Sequence, residues 1–152
     1  MKPEYVRPFL ESASLVIEQV AGVKPLAGQA SLREMVRHER YLWIHIGLNG
    51  QMTGDVIFGL HEEVALKMVS AMMGGFVMTE LDEMGQSAIS ELGNMISGNA
   101  TSLLYHQGIE VDITPPQVLT SIDTGFVPAA QAMSVPLSMD GIGQLDIQVL
   151  IA

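Results

Sequence analysis

The segment that most constrains the fold is a predicted helix from Leu81 to Gln107, the longest in the sequence. At about 100° per residue, its apolar side chains fall in one stripe that must pack against another layer of structure. This stripe consists of Leu81, Gly85, Ala88, Ile89, Leu92, Ile96 and Leu103. Ser87, Glu91 and Asn94 stand at i, i+4 and i+7, so they share the opposite side. The sequence therefore predicts a helix that buries one side and presents a polar face on the other.

The composition of this polar face is unusual for a helix in contact with water. The helix contains no Lys or Arg, and the residues around the Glu91–Asn94 pair are small, namely Ser90, Ser97, Gly98 and Thr101. Gly98 lowers helix stability by about 1 kcal/mol relative to Ala. Such a flat face favours close approach by another surface, although many exposed Glu and Asn side chains on helices are simply solvated.

The remaining sequence predicts two more helices and five strands. A first helix begins at Pro3 or Pro8 and stops before Gly22 and Pro25, and a short one runs from His61 to Met73. Alternating apolar residues predict strands at Leu42–Leu48, Met52–Leu60, Ile109–Ile113, Phe126–Met139 and Gln144–Ile151. Turns are expected at Asn49-Gly50 and Asp140-Gly141, and Thr79 is expected to cap the long helix.

These elements predict an α+β fold in two layers, with the helices on one face of a mainly antiparallel sheet. The order is α-β-β-α-α-β-β-β, and a helix that precedes a hairpin occurs twice, which suggests two duplicated halves. Residues 1–152 are expected to form one domain. The stretch before Arg40 is polar and is expected to be irregular.

Charge and composition argue against several classes of function. The formal net charge is −10, and all seven basic residues precede position 68. Nucleic acid is therefore an unexpected partner, and a site acting on a phosphoryl group would need its cations from elsewhere. The absence of cysteine removes disulfides and thiol catalysis, and no apolar run or leader predicts membrane insertion or export, so a cytoplasmic location is expected. No two of His38, His45, His61 and His106 stand four residues apart, so no metal site is predicted.

The spacing Ser87-x-x-x-Glu91-x-x-Asn94, followed downstream by a proline, resembles the motif of the CheC/CheX/FliY family of bacterial chemotaxis phosphatases. The strings "VSAMMGG" at 69–75, "LDEMGQSAISELGNMISG" at 81–98 and "VDITPP" at 111–116 are similar to the CheX branch in particular. The motif proline is Pro115 or Pro116, and we assign it to Pro116. The first helix carries no second copy of the motif, which is the pattern of the CheX branch.

The resemblance implies that the chain dephosphorylates the phosphorylated response regulator CheY. It implies that Asn94 holds the attacking water and that Glu91 pairs with a lysine of the receiver. Magnesium would come from the receiver, with no cofactor of the chain's own. Ser87, Ser90, Gly98 and Thr101 would contact the partner, whereas Pro116 looks structural.

The resemblance also implies a homodimer. Unpaired edge strands give a physical reason for one, and the apolar segment Phe126–Met139, which has no Lys, shows little edge protection; which strands form the interface stays open. Three alternatives stay open at this point: a receiver-binding module without catalysis, a structural part of the flagellar switch, and an unrelated domain for a small ligand.

Overall fold

The three helices of the molecule lie close to where the sequence predicts them. The structure, a computed structural model, describes residues 3–33, 40–120 and 132–151. The helices are α1 (Pro3–Ala21), α2 (Glu62–Met72) and α3 (Glu83–His106). In the described part of the chain, none of them is both long and apolar enough to cross a membrane.

The described residues form one antiparallel sheet of eight strands. These are β1 (Leu26–Ala27), β2 (Ser31–Arg33), β3 (Tyr41–Gly50), β4 (Gly54–His61), β5 (Val111–Ile113), β6 (Gln117–Thr120), β7 (Ala132–Met139) and β8 (Gly143–Ile151). Their spatial order is β1-β7-β8-β4-β3-β5, with β2 also paired to β7 and β6 also paired to β3. The predicted α+β class and the order of the long elements are confirmed.

The topology repeats itself in two halves. The order α1-β1-β2-β3-β4 in the first half recurs as α3-β5-β6-β7-β8 in the second, with α2 between them. Strands β4 and β8 pair at the centre of the sheet, and each half places its two short strands on the hairpin of the other half. The repeat of a helix before a hairpin, seen in the sequence, thus extends to the short strands.

The short strands are the main difference from the sequence-based prediction. The stretch before Arg40 was expected to be irregular, yet β1 and β2 pair there with β7. Pairing with β3 also resumes after the prolines, in β6. Strands of two to four residues have too few alternating positions to be recognised from periodicity, and here they are defined by their partners at the sheet edge.

The turn at Asn49-Gly50 was also predicted wrongly. These two residues still belong to β3, where they pair with Asp112 and Val111 of β5. Pairing between β3 and β4 begins at Leu48 and Gly54, so the connection is longer than a two-residue turn. Pairing with β5 has therefore overridden the local preference of the dipeptide.

Strand β7 is not a free edge, although its sequence shows little edge protection. Its residues pair with β8 on one side and with β1 and β2 on the other. Residues 126–131 of the predicted strand lie outside the described residues. The outer positions of the sheet are instead held by the short strands.

The main core lies between the helices and one face of the sheet. Alternate residues of β3, β4 and β8 point into it, among them Ile44, Phe58 and Ile147, each with no exposed surface. They meet the apolar sides of the helices, including Phe9 of α1 and Ile96 of α3. The opposite face of the sheet carries a smaller buried cluster of Trp43, Ile57 and Leu119.

Candidate active site on the long helix

Helix α3 begins later than predicted because Asp82, not Thr79, caps it. The Asp82 carboxylate accepts a hydrogen bond of 2.8 Å from the backbone N–H of Gly85, which satisfies one of the donors left free at a helix start. The side chains of Leu81 and Met78 lie against Gly85, where a Cβ atom would stand 2.9 Å from Leu81 Cδ1. This packing keeps residues 78–81 outside the helix.

The buried side of α3 is wider than the single predicted stripe. Ser97 and Leu104 are completely buried, whereas the predicted Leu103 is only half-buried. The reason is that α1 packs along α3 in addition to the sheet, so that a broader arc of the helix is covered. Asn99 Nδ2 donates a hydrogen bond of 3.0 Å to the buried Ser12 Oγ of α1 across this contact. Ser97, placed on the polar face by its spacing, thus belongs to the interior.

Gly93 sets how closely α3 approaches the sheet. A Cβ atom at this position would stand only 2.9 Å from Ile44 Cγ2 of β3. The distance between the helix and the sheet is therefore so short that any other residue at position 93 would require movement. Since Asn94 is the next residue, the same contact fixes the position of the polar face.

The exposed face of α3 contains the predicted pair. Ser87 and Glu91 are exposed and Asn94 is half-buried. Within residues 3–33, 40–120 and 132–151, the side chains of Glu91 and Asn94 have neither a hydrogen bond nor an ion pair. Their polar atoms are therefore available to a partner from outside the described chain.

The residues around the pair are small, so few side chains project from this face of the helix. A Cβ atom built on Gly98 would meet nothing within 4 Å. The Thr101 hydroxyl donates a hydrogen bond of 2.8 Å to the carbonyl oxygen of Gly98, so it is turned toward its own helix. Ser90 is half-buried. Another surface can thus approach the backbone of α3 beside Asn94.

Two large side chains on this face were not singled out from the sequence. Met84 is 61% exposed and lies three residues before Ser87, and Tyr105 is 64% exposed and lies seven residues after Gly98. Both spacings place them on the same side of the helix as Glu91. Helical periodicity contains this signal, but an apolar residue is usually assigned to the core.

Pro116 lies in the connection between β5 and β6, at a distance along the chain from the helix. It is half-buried, and the Thr114–Pro116 segment interrupts the pairing of this edge with β3. Opposite the break, the Thr114 hydroxyl accepts a hydrogen bond of 2.8 Å from the Gly47 backbone N–H. The proline has no group that takes part in chemistry, and its structural role stays a prediction.

The described histidines take part in local contacts. His45 Nε2 lies 2.6 Å from Asp55 Oδ1 between β3 and β4, and His106 Nδ1 donates to the carbonyl oxygen of Ser102 at 2.7 Å. Over the described ranges there is no group of three or more His, Cys, Asp or Glu residues arranged to hold a metal ion. His38 lies outside these ranges.

Comparison with known proteins identifies the family. The family model described as chemotaxis phosphatase CheX matches residues 43–138, which include the whole of α3. The chain belongs to the chemotaxis phosphatase CheX family. It is 37% identical, over 139 residues, to the CheY-P phosphatase CheX of Thermotoga maritima, a match that covers 91% of this chain and 90% of the relative.

Solved structures of CheX and CheC-like proteins share the fold. A CheC-like superfamily protein from Shewanella sp. PV-4 superimposes with a TM-score of 0.85 at 25% identity, covering 100% of this chain and 99% of that protein. The crystal structure of the CheX–CheY–BeF3–Mg2+ complex from Borrelia burgdorferi gives a TM-score of 0.81 at 25% identity, with 97% of both chains covered. This CheX-family chain therefore has the same arrangement of helices and sheet as a relative seen together with CheY.

Proposed function

We propose that this chain hydrolyses the aspartyl phosphate of a CheY-type receiver, with Glu91 and Asn94 of α3 as the residues that act on it. The observation that carries the proposal is that the exposed Glu91 and the half-buried Asn94, one turn apart, both have unpaired side chains on a face where Gly98 has no side chain. Membership of the CheX family supports the reaction class. The relative from Thermotoga maritima, itself a CheY-P phosphatase, supports the substrate.

In the proposed reaction, a water molecule attacks the phosphorus atom from the side opposite the receiver aspartate. A bond forms between the water oxygen and phosphorus as the bond from phosphorus to the aspartate oxygen breaks. The electron pair stays on the aspartate carboxylate, the water proton passes to the phosphate, and inorganic phosphate leaves. Catalysis of such a transfer consists mainly of positioning and of charge stabilisation.

Asn94 is the residue suited to hold the water. Its amide is neutral, so it can hydrogen-bond a water molecule next to an anionic phosphoryl group, where a carboxylate would be repelled. Its helix packs against both α1 and the sheet, so the backbone that carries the side chain is held in place. Asn94 is thus proposed to align the water with the leaving carboxylate.

Glu91 is proposed to position the receiver and not to act as a base. It is exposed one turn before Asn94, where its carboxylate can pair with a lysine of the receiver. The receiver would also supply the magnesium ion, as the Mg2+ in the CheX–CheY complex from Borrelia burgdorferi supports. The chain would then need no cofactor of its own, and chelation of magnesium should abolish the stimulated reaction.

The decisive experiment compares Asn94→Ala with Asn99→Ala. Asn94→Ala should lower the rate of receiver dephosphorylation by about 100-fold to 1,000-fold, the usual cost of removing one catalytic hydrogen-bond donor. It should leave the free energy of unfolding within about 0.5 kcal/mol, because a half-buried surface side chain leaves no cavity. Asn99 is the matched control on the same helix, since its amide bonds to Ser12 in the interior.

Asn99→Ala should therefore lose stability, by about 1 kcal/mol, and keep its activity below its melting temperature. Phosphate release from a phosphorylated CheY-type receiver and thermal unfolding are the two measurements. An Asn94→Ala variant that keeps half of its activity would refute the assignment. A wild-type protein that binds the receiver without hydrolysing it would favour a binding or switch module.

We also propose that the protein is a homodimer joined through the outer strands of its sheet. Since β7 is covered by β1 and β2, the strands available for pairing are the short ones, such as β5 and β6. This arrangement leaves α3 of each protomer free for one receiver. Sedimentation at micromolar concentration tests the proposal, and a stable species near the monomer mass of 16.4 kDa would contradict it.

A further inference from the structure

The exposed face of α3 has a large side chain at each end. Met84 lies in the first turn of the helix and Tyr105 in the last, and both are more than half exposed. At 1.5 Å per residue the two Cα atoms are about 30 Å apart, which is close to the diameter of a small domain. Between them lie the Glu91–Asn94 pair and the open position at Gly98.

This combination is typical of an interface and not of a solvated helix. Interface centres are depleted in Lys and Glu and enriched in Met and aromatic residues. From Met84 to Tyr105 the helix contains no Lys or Arg, and Glu91 is its one charged residue. Met84 and Tyr105 are therefore of the residue types that interfaces favour, on a helix face that carries a single charge.

The Tyr105 ring is restrained by a neighbouring side chain and lies beside a recess. Its ring packs edge-to-face on His106, with centroids 6.4 Å apart, and His106 is fixed by its hydrogen bond to Ser102. An open recess of about 380 Å3, bounded by Thr101 and Asp112 among others, lies beside the ring. A restrained ring next to a recess loses little conformational entropy when another chain packs on it.

We propose that Met84 and Tyr105 are the two apolar anchors that hold a CheY-type receiver on α3, one on each side of the Glu91–Asn94 pair. This inference rests on the function proposed above. The occupant is a receiver because both side chains continue the surface on which that pair lies, and because the span between them matches one small domain. The anchors would set the affinity for the receiver, whereas Asn94 would set the rate of hydrolysis.

The test separates affinity from chemistry. Met84→Ser and Tyr105→Ser should each raise KM for the phosphorylated receiver by about fivefold or more, with kcat unchanged. The same two variants should raise the Kd for a CheY-type receiver loaded with BeF3− and Mg2+ by the same factor. The conservative variants Met84→Leu and Tyr105→Phe keep an apolar contact and should restore both constants. Leu15→Ser, which alters an exposed apolar residue of α1, is the control.

The outcomes distinguish a failure of the two anchors from a failure of the proposed function. Unchanged KM and Kd in both serine variants, in a wild-type protein that is active, would overturn the anchors alone. A wild type that binds the receiver but does not hydrolyse it would overturn the proposed function, and the Kd values would still decide on the anchors. The same loss of affinity in Leu15→Ser would show a non-specific effect and overturn the anchors. No binding to the receiver at all would overturn both.

Discussion

Replacing Gly98 by Ala should make the protein more stable and less active at the same time. A glycine in the interior of a helix is about 1 kcal/mol less favourable than alanine. Nothing lies within 4 Å of a Cβ atom built on Gly98, so the new methyl group causes no clash. For a chain of 152 residues, a gain of about 1 kcal/mol corresponds to an increase in melting temperature of about 2–4 °C.

The loss of activity follows from the position of the new methyl group. Gly98 lies one turn beyond Asn94 on the exposed face, so a receiver that closes on this face would meet the Cβ atom. A displacement of the receiver by about 1 Å takes the water held by Asn94 out of line, and errors of this size lower catalytic rates by up to about 100-fold. We expect kcat/KM to fall between about 10-fold and 100-fold.

The assay pairs thermal unfolding with phosphate release from a phosphorylated receiver, on the same preparations. Gln86→Ala is the control, because Gln86 is exposed on α3 but lies off the face that holds Glu91 and Asn94. It should change neither stability nor activity appreciably. If Gly98→Ala raises the melting temperature and keeps full activity, the receiver does not approach this part of the helix and the proposed docking face is wrong.

Three other substitutions test the remaining roles on α3. Glu91→Ala should raise Kd and KM for the receiver as well as lower kcat, because an ion pair made before the transition state contributes to binding. A purely catalytic effect equal to that of Asn94→Ala would contradict this role. Gly93→Ala should lower the free energy of unfolding by about 1–3 kcal/mol, since the new Cβ atom would stand 2.9 Å from Ile44 Cγ2, and an unchanged melting temperature would show that the contact is not tight. Asp82→Ala should cost about 1 kcal/mol of stability in thermal unfolding, and no loss of stability would remove Asp82 as the cap.

The long elements could be predicted because their periodicity reflects the layer that they bury. The apolar residues of α3 recur with a helical period, and those of β3 alternate, so the face of each element follows from spacing alone. The outward position of Glu91 was predicted on the same basis, and its exposure agrees. Its catalytic role stays a prediction, since neither fold nor exposure measures chemistry.

The features that spacing could not provide depend on which residues pack against each other. Ser97 is polar, but it is buried because α1 covers that side of α3. Asp82 replaces Thr79 as the cap because the segment between them packs against Gly85. Strand β7 is protected by two short strands that have no periodic signal of their own. For Ser97 and β7 the deciding partner is far away in the sequence, whereas for Asp82 it is the local packing of Leu81 and Met78 on Gly85.

The two halves of the molecule contain an internal comparison that separates folding from function. Helix α1 occupies in the first half the place that α3 occupies in the second, yet its exposed side carries Arg7, Glu11 and Glu18, as a solvated helix usually does. The fold therefore tolerates long charged side chains on the outer face of such a helix. The exposed face of α3 has small side chains and almost no charge, and packing does not require this composition. It is best explained by the approach of a partner.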